Sequence, residues 1–104
     1  MTDDRLVLSV EFHAAPGRAG DLREALLALV GPTRAEDGCE LYDLHDDPAD
    51  PDCFVFYEIW STPAAHAAHD RTEHVRGIVA ALPGLTVEPP RVLRLRRIEP
   101  RASW

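Results

Sequence analysis

The sequence predicts a single α+β domain in which two helices cover one face of a four-stranded antiparallel sheet. Hydrophobic periodicity switches between the two-residue repeat of strands and the 3.6-residue repeat of helices, in the order strand, helix, strand, strand, helix, strand. No internal repeat or low-complexity tract interrupts this order. It is the split βαβ arrangement of ferredoxin-like folds. Because 104 residues leave room for one modest core, we expect one domain over residues 1–104.

The first strand and the first helix are predicted from a change of period near residue 15. Residues 5–13 alternate between two faces, which is typical of a strand, and Ala15-Pro16-Gly17 ends it. The apolar residues that follow recur at helical spacing and predict a helix over residues 18–37. Gly31-Pro32 predicts a kink or an early end in this helix, and Gly38 is a favourable stop.

The rest of the chain predicts a hairpin, a second helix and a last strand. Cys39–Asp46 and Cys53–Trp60 form two strands joined by the polar turn Asp47–Pro51. The second helix is expected over residues 63–82, with a proline in its first position, and the fourth strand over Arg91–Ile98.

The third strand predicts how the sheet is covered. Its residues are apolar on both faces, but the helices of this fold cover only one face. The other face is then either an exposed patch of unusual size or buried against another chain. We therefore expect a homodimer packed sheet to sheet, a dimeric α/β-barrel. The residues of the two faces are, respectively, Phe54, Phe56, Glu58 and Trp60, and Cys53, Val55, Tyr57 and Ile59.

Composition excludes several classes of function. A formal charge of −7 opposes binding to a phosphate backbone, so nucleic acid is not an expected partner. No apolar run approaches the ~20 residues of a membrane helix, and the N-terminus lacks the chemistry of a signal peptide. We expect a cytoplasmic protein with Cys39 and Cys53 as free thiols. There is no GxSxG motif and no glycine-rich phosphate loop.

A histidine in the second predicted helix is the main candidate for proton transfer. His69 lies about 90° from the centre of the apolar stripe, at the border between core and solvent. Its alternative role is structural, satisfied by a backbone carbonyl or by Glu73 one turn later. The predicted stripe consists of Ala65, Ala68, Thr72, Val75, Val79 and Leu82.

Two residues of the third strand are also candidates. Glu58 lies in an otherwise apolar face, where a carboxylate must be paired or have a raised pKa. It would either steer His69 or pair with Arg94 or Arg96 across the sheet or the dimer interface. Trp60 would either pack in the core or form one wall of an aromatic-binding pocket.

The same predicted helix carries two histidines that could bind a metal. His66 and His69 are three residues apart, with Asp70 or Glu73 nearby as a further ligand. This pair lacks HExxH spacing and has no neighbouring cysteine ligand. We therefore predict no metal.

The spacing E-x-W-x8-H-x2-T-x-H, filled by Glu58, Trp60, His69, Thr72 and His74, resembles the antibiotic biosynthesis monooxygenase family. The family comprises small dimeric α+β proteins and includes quinol monooxygenases and anthrone oxygenases. The resemblance extends over almost the whole chain. Further matching segments are Ala15-Pro16-Gly17, Pro32-Thr33 and Glu36-Asp37-Gly38-Cys39.

The resemblance implies oxidation of a small electron-rich aromatic by O2 without metal or organic cofactor. In that interpretation His69 is the base, Trp60 stacks on the substrate ring and Glu58 orients the site. Haem-degrading relatives use a ligand set that this chain lacks, with Val79 near the position of the iron-ligating histidine. The alternative function is a non-catalytic dimeric binding module for an apolar metabolite. Implied substrate-binding residues are Phe54, Phe56, Thr72, Tyr42 and Arg76.

Overall fold

The computed structural model describes residues 5–99, which form a four-stranded antiparallel sheet with helices on one face. The strand order β2-β3-β1-β4 is that of a ferredoxin-like fold, so the predicted fold class is confirmed. The strands are β1 (Leu6–His13), β2 (Cys39–Asp47), β3 (Asp50–Trp60) and β4 (Arg91–Leu95). The helices are α1 (Ala19–Leu27), α2 (Val30–Arg34), α3 (Pro63–His69) and α4 (Glu73–Ala81), and a 3₁₀ turn (Leu82–Gly84) follows α4.

The core lies between the helices and the inner face of the two central strands. Phe12 of β1 pairs with Phe54 of β3, and Val10 pairs with Phe56, so alternate residues of both strands point to the helices. Leu22 and Leu26 of α1 are fully buried against this face. Burial of each such leucine contributes roughly 1.5–3 kcal/mol relative to exposure.

The first predicted helix is two helices, because it is interrupted at Ala28 and Leu29. Pro32 accounts for the position of the break. It has no amide hydrogen to donate to the carbonyl of Ala28, and its ring would clash with that carbonyl in a continuous helix. Pro32 instead lies in the first turn of α2, where the missing donor is tolerated.

The predicted five-residue turn between β2 and β3 is wrong, because the loop of this hairpin is shorter. Asp47 pairs directly with Asp50, so the loop is only Pro48-Ala49. The Asp47 carboxylate accepts a hydrogen bond from the Ala49 amide at 2.9 Å, and the Asp50 carboxylate accepts one from the Asp52 amide at 3.0 Å. These side-chain bonds support the tight turn and allow β3 to begin three residues earlier than predicted.

The predicted continuous helix over residues 63–82 is also wrong, because α3 ends at His69 and α4 begins at Glu73. Thr72 caps α4: its hydroxyl accepts a hydrogen bond from the Val75 amide at 3.4 Å. Two residues of the predicted stripe are exposed instead of buried: Val79 of α4 is 58% exposed, and Ala68 of α3 is exposed as well.

The fourth strand ends at Leu95, three residues before the predicted end.

No helix within residues 5–99 is long and apolar enough to cross a bilayer. The cytoplasmic location stays a prediction.

Gly38 determines how closely the turn before β2 approaches α3. Its φ of +82° is a left-handed conformation that costs other residues roughly 1–2 kcal/mol. A Cβ there would lie 2.5 Å from the Cβ of Ala65 and 2.7 Å from the Oγ of Ser61. No other residue type fits this position without moving α3 away from the turn.

We expect Gly38→Ala to lower the free energy of unfolding by more than about 2 kcal/mol, because the strain adds to the overlap with α3. The matched control is Gly77→Ala, since a Cβ at Gly77 would meet nothing within 4 Å in the middle of α4. That variant should gain about 0.5–1 kcal/mol. Urea unfolding of both variants tests this, and equal effects would contradict the close approach.

Candidate active site

The candidate site is centred on His69, the last residue of α3, whose imidazole points into the protein. His69 is only 5% exposed. Its ring centre lies 4.7 Å from that of Trp60 in a tilted arrangement and 5.7 Å from that of Tyr42 in an edge-on arrangement. The candidate base therefore lies in an aromatic, largely dry environment rather than at the solvent border.

Glu36, at the turn after α2, is the hydrogen-bond partner of His69. Its Oε2 lies 2.8 Å from His69 Nδ1 and also 2.8 Å from His74 Nε2. An ionised carboxylate offers only acceptors, so each of these ring nitrogens donates a hydrogen to it. In the neutral form of the ring, the lone pair of His69 is thereby on Nε2, which is the nitrogen able to accept a proton.

Glu36 is the site residue that sequence reasoning missed. The predicted structural partners of His69 were a backbone carbonyl or Glu73, but Glu36 is 33 residues away in the chain. Two features of the sequence were informative: Glu36 belongs to the segment that resembles the family, and Gly38 follows it. Neither feature reveals the contact, which depends on the approach of this turn to the break between α3 and α4.

Glu58 is buried, and its hydrogen-bond partner is Trp60 rather than Arg94 or Arg96. Its Oε1 accepts a hydrogen bond from Trp60 Nε1 at 2.9 Å. Burial raises the pKa of the Glu58 carboxyl above its ordinary value, and the indole hydrogen bond lowers it only in part. Arg94 shares the row of Glu58 in the sheet, with Leu8 between them.

The aromatic residues around His69 are tightly packed. Tyr42 stacks on Phe56 with ring centres 4.3 Å apart, and burial raises the pKa of the Tyr42 phenol, which keeps it neutral. Trp60 has no exposed surface, and Phe56 is 1% exposed. In this conformation, protein atoms cover both faces of the Trp60 indole, so a substrate ring could stack there only after neighbouring side chains move.

The remaining predicted substrate-binding residues lie away from the His69 ring or have another role. Phe54 is six residues from Trp60 along β3, roughly 20 Å away at the usual rise of a strand. It borders an open cavity of about 340 Å³ that Arg23 also lines, and the Arg23 guanidinium lies over the Phe54 ring, 5.4 Å from its centre. Thr72 uses its hydroxyl to cap α4 and to donate to the carbonyl of His69 at 2.8 Å. Arg76 is exposed on α4.

His66, one turn before His69, lies at the edge of the same cluster. Its ring centre is 5.8 Å from that of Trp60 and 5.9 Å from that of His69. Burial lowers the pKa of His66. Its Nε2 is 3.8 Å from an Asp70 oxygen, too long for a hydrogen bond.

The metal-ligating groups that the structure brings together differ from the pair tested in the sequence. Among residues 5–99, Glu36, His69 and His74 place their ligand atoms within 4.8 Å of one another. A second group with the same spacing lies on the outer face of the sheet and consists of Glu11, His13 and Cys53.

The family model described as antibiotic biosynthesis monooxygenase matches residues 5–81. The chain belongs to this family. The match includes Glu36, Glu58, Trp60, His69 and His74, so the whole aromatic and histidine cluster lies in the part shared with the family.

Individual relatives support this assignment. The YcnE protein of Bacillus subtilis, provisionally named a monooxygenase, is 32% identical over 89 residues, which are 86% of this chain and 94% of YcnE. The crystal structure of PA3566 from Pseudomonas aeruginosa superposes with a TM-score of 0.89 at 36% identity, covering 95% of this chain and 99% of PA3566. The uncharacterised protein sll1783 of Synechocystis is 26% identical over 90 residues, 86% of this chain, which spans 61% of the length of sll1783.

The raised pKa of Glu58 predicts how stability depends on pH. A carboxyl whose pKa is higher in the folded protein contributes full stability below its unfolded pKa and loses it as the pH rises through the folded pKa. Glu58→Gln keeps an acceptor for the Trp60 indole but cannot ionise. We expect it to raise the free energy of unfolding at pH 7 and to have little effect at pH 4.

Urea unfolding at the two pH values measures this difference. Glu24→Gln, on the exposed side of α1, is the matched control and should change stability little at either pH. A Glu58→Gln variant that is less stable than wild type at pH 7 would show that the carboxylate is held as a favourable charge.

Proposed function

We propose that this protein is a cofactor-independent monooxygenase that oxidises a small electron-rich aromatic, such as a phenol, quinol or anthrone, with O2. The observation that carries the proposal is the buried His69, whose Nδ1 donates to Glu36 and whose Nε2 is therefore a proton acceptor. Membership in the monooxygenase family supports the reaction class.

The proposed reaction begins with removal of a phenolic proton by Nε2 of His69. The resulting phenolate is electron-rich enough to give an electron to O2 directly. A phenol with a free para position then becomes a quinone: one oxygen atom enters the ring and the other leaves as water. The dry aromatic surroundings favour this path because they exclude competing water. Glu36 acts as a positioning residue, since its hydrogen bond selects the tautomer of His69.

Substrate access requires movement of α3, in our proposal. Trp60, Phe56 and Tyr42 are enclosed by protein atoms, and α3 is the short helix that carries His66 and His69 against the Trp60 indole. The same enclosure favours the second candidate function, a dimeric binding module in which side chains fill the site and no chemistry occurs.

His69 variants test the catalytic proposal. We expect His69→Ala and His69→Gln to lower O2 uptake with a panel of phenols and hydroquinones by roughly 10²–10⁴-fold, the usual contribution of a general base. His45→Ala is the matched control, because His45 is exposed on β2 and bonds only to the Val55 carbonyl among the described residues. It should retain wild-type uptake.

The other outcomes separate the two functions. Equal rates in wild type and in both His69 variants would remove His69 from the mechanism. No uptake with any substrate, together with saturable binding of an aromatic ligand, would favour the binding module.

We also propose that the protein is a homodimer packed through the outer face of its sheet. Val7, Ile59 and Leu95 pair across three strands and share this face, as do Tyr57 and Leu93. Tyr57, Leu93 and Leu95 are 36–43% exposed in the single chain. A second copy would remove this apolar patch from water.

Analytical ultracentrifugation tests the dimer. We expect wild type to sediment at twice the chain mass and Tyr57→Arg to shift it toward monomer, because a guanidinium would be buried without a partner. Val79→Arg is the matched control, since Val79 is an exposed apolar residue on α4, away from the sheet. Wild type that sediments as a monomer, or equal dissociation in both variants, would refute this arrangement.

A further inference from the structure

Glu36, His69 and His74 bring three groups able to bind a metal to one point. The three side chains come from the turn after α2, the end of α3 and the start of α4. Two imidazole nitrogens from different helices lie at 2.8 Å from a single carboxylate oxygen. The Glu36 carboxylate therefore brings two imidazole nitrogens to one point.

The donor set fits a divalent transition metal. Imidazole and carboxylate together are typical ligands of Zn²⁺, Ni²⁺ and Cu²⁺. Bonds of about 2.0–2.2 Å in a tetrahedral arrangement place neighbouring ligand atoms roughly 3.4 Å apart. Here the carboxylate oxygen lies 2.8 Å from each ring nitrogen, and all three ligand atoms lie within 4.8 Å of one another. The side chains are 6%, 15% and 24% exposed for His69, Glu36 and His74, so they are already largely fixed.

We propose that Glu36, His69 and His74 form a binding site for one divalent transition-metal ion, with the remaining coordination positions open to water. The Glu36 carboxylate moves slightly away from the two rings. The ion then occupies the space of the two hydrogens that lie between the carboxylate and the ring nitrogens in the metal-free protein. Three protein ligands with an open position differ from closed structural zinc sites, which have four protein ligands.

Metal binding would reverse the proton arrangement of His69. A neutral imidazole that binds a metal through Nδ1 must carry its hydrogen on Nε2, and His74 must likewise move its hydrogen from Nε2 to Nδ1. Each ring keeps one proton, so none is released from neutral histidines. If the proposed function holds, the ion therefore occupies the base and inhibits the metal-free reaction.

The experiment is a titration of metal-free protein with Zn²⁺. Calorimetry measures the affinity and the number of ions bound, and ¹⁵N NMR monitors the histidine rings. The Cys53→Ser background removes the thiol of the second cluster. We expect one ion per chain, a ¹⁵N signature of proton transfer from Nδ1 to Nε2 in His69, and at least tenfold weaker binding in His74→Ala. His66→Ala is the matched control and should bind as tightly as its parent.

Three outcomes would overturn the proposal. One is unchanged ¹⁵N resonances of His69 and His74 at millimolar Zn²⁺, a readout on wild-type protein that does not depend on the folding of variants. Another is undiminished binding in folded His74→Ala. The third is binding that His66→Ala abolishes. None of these measurements uses O2 uptake, so the metal site and the monooxygenase proposal fail independently.

Discussion

The two hydrogen bonds that converge on the Glu36 carboxylate are the constraint on which the candidate site depends. They connect the turn after α2 to the end of α3 and to the start of α4. A buried carboxylate without partners would be costly, and so would a buried imidazole. Glu36 and the buried His69 therefore each need the other as a partner, His74 adds a second donor to the carboxylate, and the tautomer of His69 follows from its bond to Glu36.

The interrupted helix has the same origin. A continuous helix through residues 70–72 would carry His69 and His74 to positions set by 100° per residue, and their rings would not meet at one point. Thr72 stabilises the interruption twice: it caps α4 and donates to the carbonyl at the end of α3. The structural role of this threonine explains its place in the motif without any contact to substrate.

Burial sets the chemical character of the site. Glu58 and Tyr42 both have raised pKa values because ionisation in an enclosed environment is disfavoured. Trp60 offers its only hydrogen-bond donor to Glu58, which leaves the indole fixed in the core. The same enclosure that excludes water also closes the space that a substrate needs. The proposed movement of α3 would first open the site to the substrate and then exclude water again.

The sequence by itself determined the fold class and the face that each strand residue occupies, because period-two and period-3.6 patterns are local properties of the chain. It also predicted His69, Glu58 and Trp60 as neighbours, since a strand that feeds directly into a helix keeps them close. Only the tertiary structure decided the partners. Glu36 reaches His69 across 33 residues, and Gly38 allows the approach through a left-handed backbone and the lack of a Cβ. Contacts of this kind depend on how separate elements pack, and no periodicity within one element encodes them.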